Sequence, residues 1–411
     1  MVRPMFIAAG VVAAAASWLS ATPARAQVMC SALPNPIVVT GSGDFEPVLA
    51  EFAVRLAVES PATTIVTVAL GSQVKSCAGI QSVVEATAFG GLPGRYYSRN
   101  GTTIVSNACT FSSGQTADVA ISEVFYETCT NVPQPKPADI AVLTGPVQPV
   151  LFVGSKANTG EYLSYEEARA LLGCGASSAR PVAGRYSDPA WVFCRDPAAG
   201  TQMTIAKSLS LADPVLPACR FFNNDARLIV DLAARDDPAT PGVDYMPPPG
   251  AIGFSSAGAF DRQRTSLNQI AFQAPGQTKA FYADSSPVVF DRRNVRDGHY
   301  PIWGHIHFVT KMNSGSVSPR VAELAAWIDG TRTSAGIDAF SLALNAGLIP
   351  RCAMKVKRSS DGGLLSPYTP SKACHCAFEA HSAQIIPPGC IPCASPSACS
   401  GGLTCQHGFC D

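Results

Sequence analysis

Two spacings of hydrophobic residues alternate along this chain and predict its secondary structure. Runs of consecutive apolar residues predict buried strands, and apolar residues three or four positions apart predict helices. Phe45, Leu49 and Phe52, for example, fall on one helical face. The apolar runs predict strands within 36–40, 63–70, 118–122, 147–153, 191–194, 251–254 and 302–309.

Most of the predicted strands lead into helix-start signals. A helical pattern begins near Ser76, and another follows Gly200–Thr201. Ser164–Glu167 reads as a capping box, in which serine and glutamate satisfy each other's backbone N–H groups. Ser318–Pro319 opens a further helix. The alternation of strand and helix predicts an α/β fold, with helices covering both faces of one sheet.

The N-terminal segment predicts an exported protein. Met1–Ala26 has a positive start at Arg3, an apolar run over 6–19 and a small-residue cleavage site at Ala24–Ala26. These are the three parts of a secretory signal peptide. The apolar run is too short for a membrane-spanning helix, which needs about 20 such residues. We therefore expect a periplasmic or secreted protein.

Composition narrows the possible functions. The chain has 30 basic and 30 acidic residues and is 47% hydrophobic, which argues against intrinsic disorder. A balanced charge also argues against nucleic-acid binding, which needs a basic surplus. Its 15 cysteines are many for a reducing compartment, so export predicts disulfides. The odd number leaves one cysteine unpaired, with Cys30 as a candidate.

The cysteines divide the chain into a long body and a short tail. Eight lie before residue 373, where Cys109 and Cys129 are the predicted pair. Seven crowd into the last 38 residues, a segment with too few apolar residues to form a core. Zinc binding is the alternative to disulfides for that tail. The tail cysteines are Cys374, Cys376, Cys390, Cys393, Cys399, Cys405 and Cys410.

Polar residues follow several of the predicted strands. Ser42–Gly43, Ser76 and Gly200–Thr201 each precede a helix, and Arg195 ends a strand. Open α/β sheets bind ligands beyond the carboxyl ends of their strands. Helix N-termini attract anions, and an arginine offers a fork of donors that matches an oxyanion. The pattern predicts an anion-binding site.

The order of these segments resembles the periplasmic phosphate-binding proteins of ABC transporters, which have a type II periplasmic-binding-protein fold. The resemblance covers about residues 36–350 and rests on several short stretches rather than one specific motif. Those stretches are Val38–Pro47, Gly71–Ser72, Ser76–Ile80, Ala117–Ser122, Arg195–Thr201, Gly250–Phe254 and Tyr300–Trp303.

The resemblance implies a ligand-binding role for nine residues. Asp118 would be the pocket carboxylate, which favours an oxyanion that can give it a proton over sulfate. Ala199 replaces a serine of the family. Lys75 in the altered second loop could add positive charge to the site, but solvation of its side chain is favoured. The implied ligand-binding residues are Ser42, Gly43, Asp44, Phe45, Ser76, Asp118, Arg195, Gly200 and Thr201.

The resemblance also implies a mechanism. Two lobes, joined by crossing strands near 146–153 and 299–308, would close on phosphate or a related oxyanion for ABC-type uptake. Such a protein has no catalytic residue and no cofactor, works as a monomer and can have a permease partner. The implied units are lobe one at 28–148 with 303–372, lobe two at 149–302 and a cysteine-rich tail at 377–411.

Other functions compete with this interpretation. A secreted interaction protein could share the fold and use the tail for recognition. His299, His305 and His307 could hold a metal, although no fourth ligand is evident and a structural role is favoured. A serine hydrolase is disfavoured because the chain has no Gly-x-Ser-x-Gly motif.

Overall fold

A computed structural model describes most of the chain after its N-terminal segment. The predicted signal peptide, Met1–Ala26, and Gly71–Ser72 of the second loop lie outside the described residues. Within the described part, no helix is long and apolar enough to cross a membrane. The described residues are 28–68, 75–174, 184–186, 188–212, 219–233, 235–237, 240–245, 247–332 and 338–411.

Strands and helices alternate, as the hydrophobic pattern predicts. The first part contains β1 (Ile37–Gly41), α1 (Glu46–Leu56), β2 (Ile65–Val68), α2 (Ser76–Val84), β3 (Pro93–Asn100), β4 (Thr103–Thr110), β5 (Val119–Ser122) and β6 (Ile140–Ser155). The middle contains β7 (Tyr162–Ser164), α3 (Tyr165–Cys174), β8 (Val192–Arg195), α4 (Gly200–Ser208), β9 (Arg220–Phe222), α5 (Asp225–Ala233), β10 (Arg235–Asp237), β11 (Thr240–Tyr245), β12 (Ile252–Ser256), α6 (Ala257–Asp261) and β13 (Leu267–Gln273). The last part contains α7 (Arg293–Arg296), β14 (Trp303–Lys311), α8 (Pro319–Ile328), α9 (Ala339–Asn345), β15 (Val356–Lys357), β16 (Ser366–Pro367), α10 (His375–Ala383), β17 (Cys405–Gln406) and β18 (Phe409–Cys410).

One long strand, β6, joins the two halves of the structure. Its pairing with β14 runs over 140–149, and its pairing with β12 runs over 150–154. The sheet order is β4-β3-β2-β1-β5-β14-β6-β12-β8-β9; β13 also pairs with β6, and β7 pairs with β13. We call the half with β1–β5 and β14 lobe one, and the half with β7–β9, β12 and β13 lobe two.

The sheet of lobe one is covered on both faces. Successive residues of β5 point to opposite sides, so Ile121 packs in the cluster with α1 and α8, while Ala120 packs in the cluster with α2. Both residues are fully buried. This two-sided burial explains why β5 reads in the sequence as a continuous apolar run rather than an alternating one.

The local helix signals in the sequence have their expected geometry. Ser164 N donates to Glu167 Oε2 at 2.9 Å, and Glu167 N donates to Ser164 Oγ at 3.1 Å, which is a capping box at the start of α3. Pro319 is the first residue of α8. Both predictions are confirmed.

The disulfide prediction is wrong in its pairing. Cys109, on β4, bonds to Cys30, and Cys129 bonds to Cys77, the second residue of α2. Cys30 is therefore not the unpaired thiol; the free cysteine is Cys174, at the exposed end of α3. The pairs follow from Cα–Cα distances near 5 Å that only the folded sheet produces.

The cysteine-rich tail is a small module fixed to the body. Cys352–Cys374 links it to the body, and within it the pairs are Cys376–Cys390, Cys393–Cys405 and Cys399–Cys410. Arg296 of α7 pairs with Glu379, and Phe340 of α9 stacks on His407 at 4.4 Å. Disulfides thus replace a hydrophobic core in this segment, as its composition predicts.

The Cys352–Cys374 link makes the anchoring testable. Because it closes a loop with a sequence separation of 22, the double variant Cys352→Ser/Cys374→Ser should lose about 3 kcal/mol of unfolding free energy. Thermal and denaturant unfolding under non-reducing conditions measure this loss. Cys174→Ser, which removes the exposed free thiol, is the control and should leave stability unchanged; an equal effect of both variants would contradict the anchoring role.

Candidate functional site

Two glycines allow the carboxyl ends of β1 and β5 to pack closely against the start of α2. Gly41, at the end of β1, has φ +107°, and a Cβ there would lie 2.1 Å from the Ile121 carbonyl oxygen. A Cβ on Gly79 of α2 would lie 2.3 Å from the Gly41 Cα. Only glycine permits these approaches, which place Ser76, the first residue of α2, beside the loop after β1.

Glu123 lies where these elements converge. Ser42 Oγ donates a hydrogen bond to Glu123 Oε1 at 2.6 Å, and the Glu123 backbone N–H donates to Ser76 Oγ at 3.2 Å. From lobe two, α4 closes over this pair, because a Cβ on Gly200 would lie 2.5 Å from the Glu123 Cβ. Glu123 is therefore a buried carboxyl group between two lobes and two helix N-termini.

Arg195 joins the lobes through ion pairs. Its side chain is fully buried; Nη1 donates to Asp225 Oδ1 at 2.8 Å, and Nη2 donates to Asp44 Oδ2 at 2.5 Å. Asp225 belongs to α5 of lobe two, whereas Asp44 belongs to the loop after β1 of lobe one. The Asp44–Arg195 contact therefore forms only when the lobes are together.

The carboxyl groups of Asp44, Asp225 and Glu123 lie near the Arg195 guanidinium. Burial, together with the nearby Asp225, raises the pKa of Asp44 to about 8. Burial also raises the pKa of Glu123. Burial alone would lower the pKa of Arg195, but Asp225 and Asp44 more than offset it, so that pKa is raised and Arg195 stays charged. The site thus holds a fixed cation, an Asp44 carboxyl that retains its proton at neutral pH and a Glu123 carboxyl whose pKa is raised by burial.

Two buried hydrogen-bond donors of the site lack a protein partner. Among the described residues, neither Arg195 Nε nor Thr201 Oγ1 has a hydrogen-bond partner. Thr201 is the second residue of α4, and Ala199, the residue before that helix, provides no capping side chain. Buried donors normally find partners, so these groups offer hydrogen bonds to a polar ligand.

Asp118 lies apart from the other predicted ligand-binding residues. It precedes β5, whereas the site lies at the other end of that strand, about 13 Å away at ~3.3 Å per residue. Its Oδ2 instead accepts from the Val38 backbone N–H at 2.7 Å. Glu123, directly after β5, is the carboxyl group at the site, and its place after a buried strand is the sequence signal that identifies it.

The remaining predicted residues have different surroundings. Phe45 is buried in the lobe-one core. Gly43 lines a cavity between the lobes, which Lys75 and Asn223 also line. Lys75 is only 8% exposed, and its Nζ donates to the Asn223 carbonyl oxygen at 2.7 Å, so the expectation of a solvated side chain is wrong. Asn223 belongs to lobe two, so Lys75 is a second cationic link between lobes.

The histidines of β14 are buried in an aromatic cluster. The rings of His305 and His307 are 6.0 Å apart, and His307 lies 4.4 Å from Phe125. Burial lowers the pKa of His305 to about 4 and that of His307 to about 3, so both are neutral. Over the described ranges, the one group of three potential metal ligands is Cys393, Cys399 and Cys405, whose sulfurs form disulfides.

Comparisons with known proteins give structural but not sequence matches. No protein-family model matches the chain, and no curated protein matches its sequence. A putative phosphate ABC transporter substrate-binding protein from Clostridium perfringens, solved with bound phosphate, is 14% identical, with a TM-score of 0.51 over 77% of this chain and 99% of that one.

Two further solved structures are similar at lower scores. An ABC-type phosphate transport receptor from Vibrio cholerae is 15% identical, with a TM-score of 0.45 over 76% of this chain and 99% of that one. A possible phosphate binding protein from Planctomyces limnophilus is also 15% identical, with a TM-score of 0.45 over 77% of this chain and 93% of that one.

The similarity to the Clostridium structure and the strand β6, which pairs within both lobes, support the same two-lobed architecture. At 14% identity that likeness shows the fold alone. The fold predicted from the sequence is confirmed: this chain has the two-lobed α/β fold of type II periplasmic-binding proteins, with an added disulfide-rich C-terminal module.

Proposed function

We propose that this protein is an extracytoplasmic solute-binding protein that holds phosphate or a related oxyanion between its lobes for ABC-type uptake. The observation that carries the proposal is the buried Arg195 at the lobe interface, where the N-termini of α2 and α4 also meet around Glu123. A guanidinium fork and free helix N–H groups are the donors that bind tetrahedral anions. The seven disulfides fit an oxidising compartment outside the cytoplasm.

The surrounding carboxyl groups define which anion fits. Glu123, when ionised, would repel a fully ionised anion unless a proton lies between its carboxylate and the ligand. Hydrogen phosphate and hydrogen arsenate carry such protons, whereas sulfate at neutral pH has none. The site therefore favours protonated oxyanions over sulfate, with Arg195 as the countercharge and Glu123 in the role that the resemblance gave to Asp118.

Calorimetric titration of the mature chain tests the proposal. Phosphate and arsenate should release heat with one site per chain, and sulfate should not compete at equal concentration. The absence of heat with all three anions would contradict the proposal.

The raised pKa of Asp44 predicts a pH dependence. Below about pH 8 the Asp44 carboxyl is protonated, and above it the carboxylate competes with the ligand for Arg195. We expect phosphate affinity to fall by about tenfold or more between pH 7 and pH 9, measured by calorimetry. Asp44→Asn should flatten this part of the profile; an unchanged profile in that variant would contradict the role of Asp44.

The same shift affects the stability of the unliganded protein. Between pH 3.8 and about 8 the folded state keeps a proton on Asp44 that the unfolded chain has released. Because the folded state binds more protons in this window, the contribution of Asp44 to stability falls as pH rises through it.

A second candidate function rests on the C-terminal module. Ile385, Ile386 and Ile391 are more than half exposed there, and such clustered apolar side chains mark interaction surfaces. The full-length variant Ile385→Ser/Ile386→Ser should then lose a partner that the unaltered protein captures from the extracytoplasmic fraction. Retention of every partner would count against this function.

A further inference from the structure

Two cavities between the lobes adjoin the proposed oxyanion site at Asp44. One, of about 420 Å³, lies between the α1 side of lobe one and the start of α5. The other, of about 580 Å³, lies between α1, α6 and α9. We call them together the side cleft. They share walls with each other at Asp44, Pro47, Ala226, Ser256, Ala259 and Arg262.

Two side chains separate the oxyanion site from the side cleft. Asp44 contacts Arg195 Nη2 on one side and lines both cavities on the other. Gln148 interacts with the Glu123 side chain and lines the larger cavity. An anion that displaces Asp44 from Arg195 therefore faces the side cleft directly, without a protein wall between them.

The dimensions of the side cleft exceed what an inorganic anion needs. A volume near 580 Å³ falls in the range of about 300–1,000 Å³ that small organic ligands occupy. Its lining includes apolar side chains from both lobes, among them Pro47 and Phe52 of α1, Ala259 of α6 and Leu342 of α9. Such a lining favours an organic group over water alone.

A cation without a partner lies at the same cleft. Arg262, just after α6, lines both cavities, and within the described part of the chain its side chain makes no hydrogen bond or ion pair. Arg55, in contrast, is held by Glu51 at 2.5 Å on the same cavity wall. Arg262 can therefore bind a hydroxyl or a second anionic group of a ligand that fills the cleft.

From these observations we infer that the ligand is an organic phosphate monoester, an inference that rests on the proposed oxyanion site. The phosphoryl group binds in its singly protonated form, with its proton toward Glu123, and takes the place of the Asp44 carboxyl at Arg195 and the N-terminal turn of α4. The organic group occupies the side cleft against Pro47 and Ala259, and its polar end contacts Arg262. Inorganic phosphate binds only at the phosphoryl position and makes no contacts in the side cleft.

Calorimetry with inorganic phosphate, glycerol 3-phosphate and phenyl phosphate tests the inference on the mature chain. At least one of the two monoesters should bind about tenfold more tightly than inorganic phosphate. Glycerol and phenol, which lack the phosphoryl group, serve as ligand controls and should show no binding.

Variants of the cleft separate its contribution from that of the oxyanion site. Ala226→Phe narrows the cleft from an exposed position at the start of α5, so the fold should tolerate it. Ala226→Phe should make the monoester bind no more tightly than inorganic phosphate. Arg262→Gln should reduce glycerol 3-phosphate affinity by about three- to tenfold. Arg293→Gln, at a 66% exposed arginine that does not line the cleft, is the matched control.

The outcomes distinguish this inference from the proposed function. Tight inorganic phosphate binding with no monoester advantage, or a monoester advantage that survives both cleft variants, would overturn the inference and leave the oxyanion site in place. Failure of every phosphate probe to bind would overturn both.

Discussion

Replacing Arg195 by methionine is expected to abolish oxyanion binding and to destabilise the fold. Arg195 is fully buried and is the guanidinium on which Asp44, Asp225 and the ligand depend. Without it, Asp225 loses its buried ion-pair partner and Asp44 loses its hydrogen-bond donor. Breaking a buried ion pair from one side costs about 3–5 kcal/mol. The affinity for phosphate should fall by more than about 100-fold, because the ligand loses two charge-assisted hydrogen bonds.

The variant Arg195→Lys distinguishes a loss of phosphate binding caused by the missing guanidinium from a loss caused by misfolding. Lysine keeps the charge but lacks the planar fork, so stability should recover in part while phosphate affinity stays at least about tenfold weaker. Arg293→Met is the control at an exposed position. Calorimetry and denaturant unfolding measure the two effects separately. Wild-type phosphate affinity in a folded Arg195→Met protein would contradict the role of this residue.

Replacing Gly200 by valine is expected to block closure of the lobes without unfolding either one. The added side chain would lie 2.5 Å from the Glu123 Cβ and 2.8 Å from Ser76 Oγ, both in lobe one. Such overpacking costs about 1–3 kcal/mol, which weakens phosphate binding by up to about 100-fold.

The matched control is Ala198→Val, two residues away at an exposed position of the same turn. Its phosphate affinity should stay within about twofold of wild type. Small-angle scattering should show that phosphate compacts the wild-type protein but not Gly200→Val. Normal binding and compaction in Gly200→Val would mean that the two lobes do not meet at this turn when ligand binds.

Elements with strong local signals could be predicted from the sequence. Strand β5 reads as an apolar run because both its faces are buried, and α1 follows from the helical spacing of Leu49 and Phe52. The β3–β4 hairpin was not predicted, because it lies at the exposed sheet edge and has little apolar pattern. Gly101, the first residue of the two-residue Gly101–Thr102 turn and at φ +59°, is the signal that could have indicated it.

The site could be predicted only in part, because several contacts depend on lobe packing. Ser42, Ser76 and Gly200 follow strands, and the structure brings them together around Glu123. The burial of Lys75 arises from Asn223 in the other lobe, more than 140 residues away. No local pattern contains such a contact. Asp118 was chosen by resemblance, although its position before β5 places it at the far end of the strand.

A crystal structure grown with millimolar phosphate shows directly whether an oxyanion binds between the lobes. We expect tetrahedral density there, within hydrogen-bonding distance of Arg195 and the N-terminal turn of α4, with Asp44 displaced from Arg195 Nη2. Closed lobes with Asp44 still on Arg195 and no anion density at saturating phosphate would contradict this expectation.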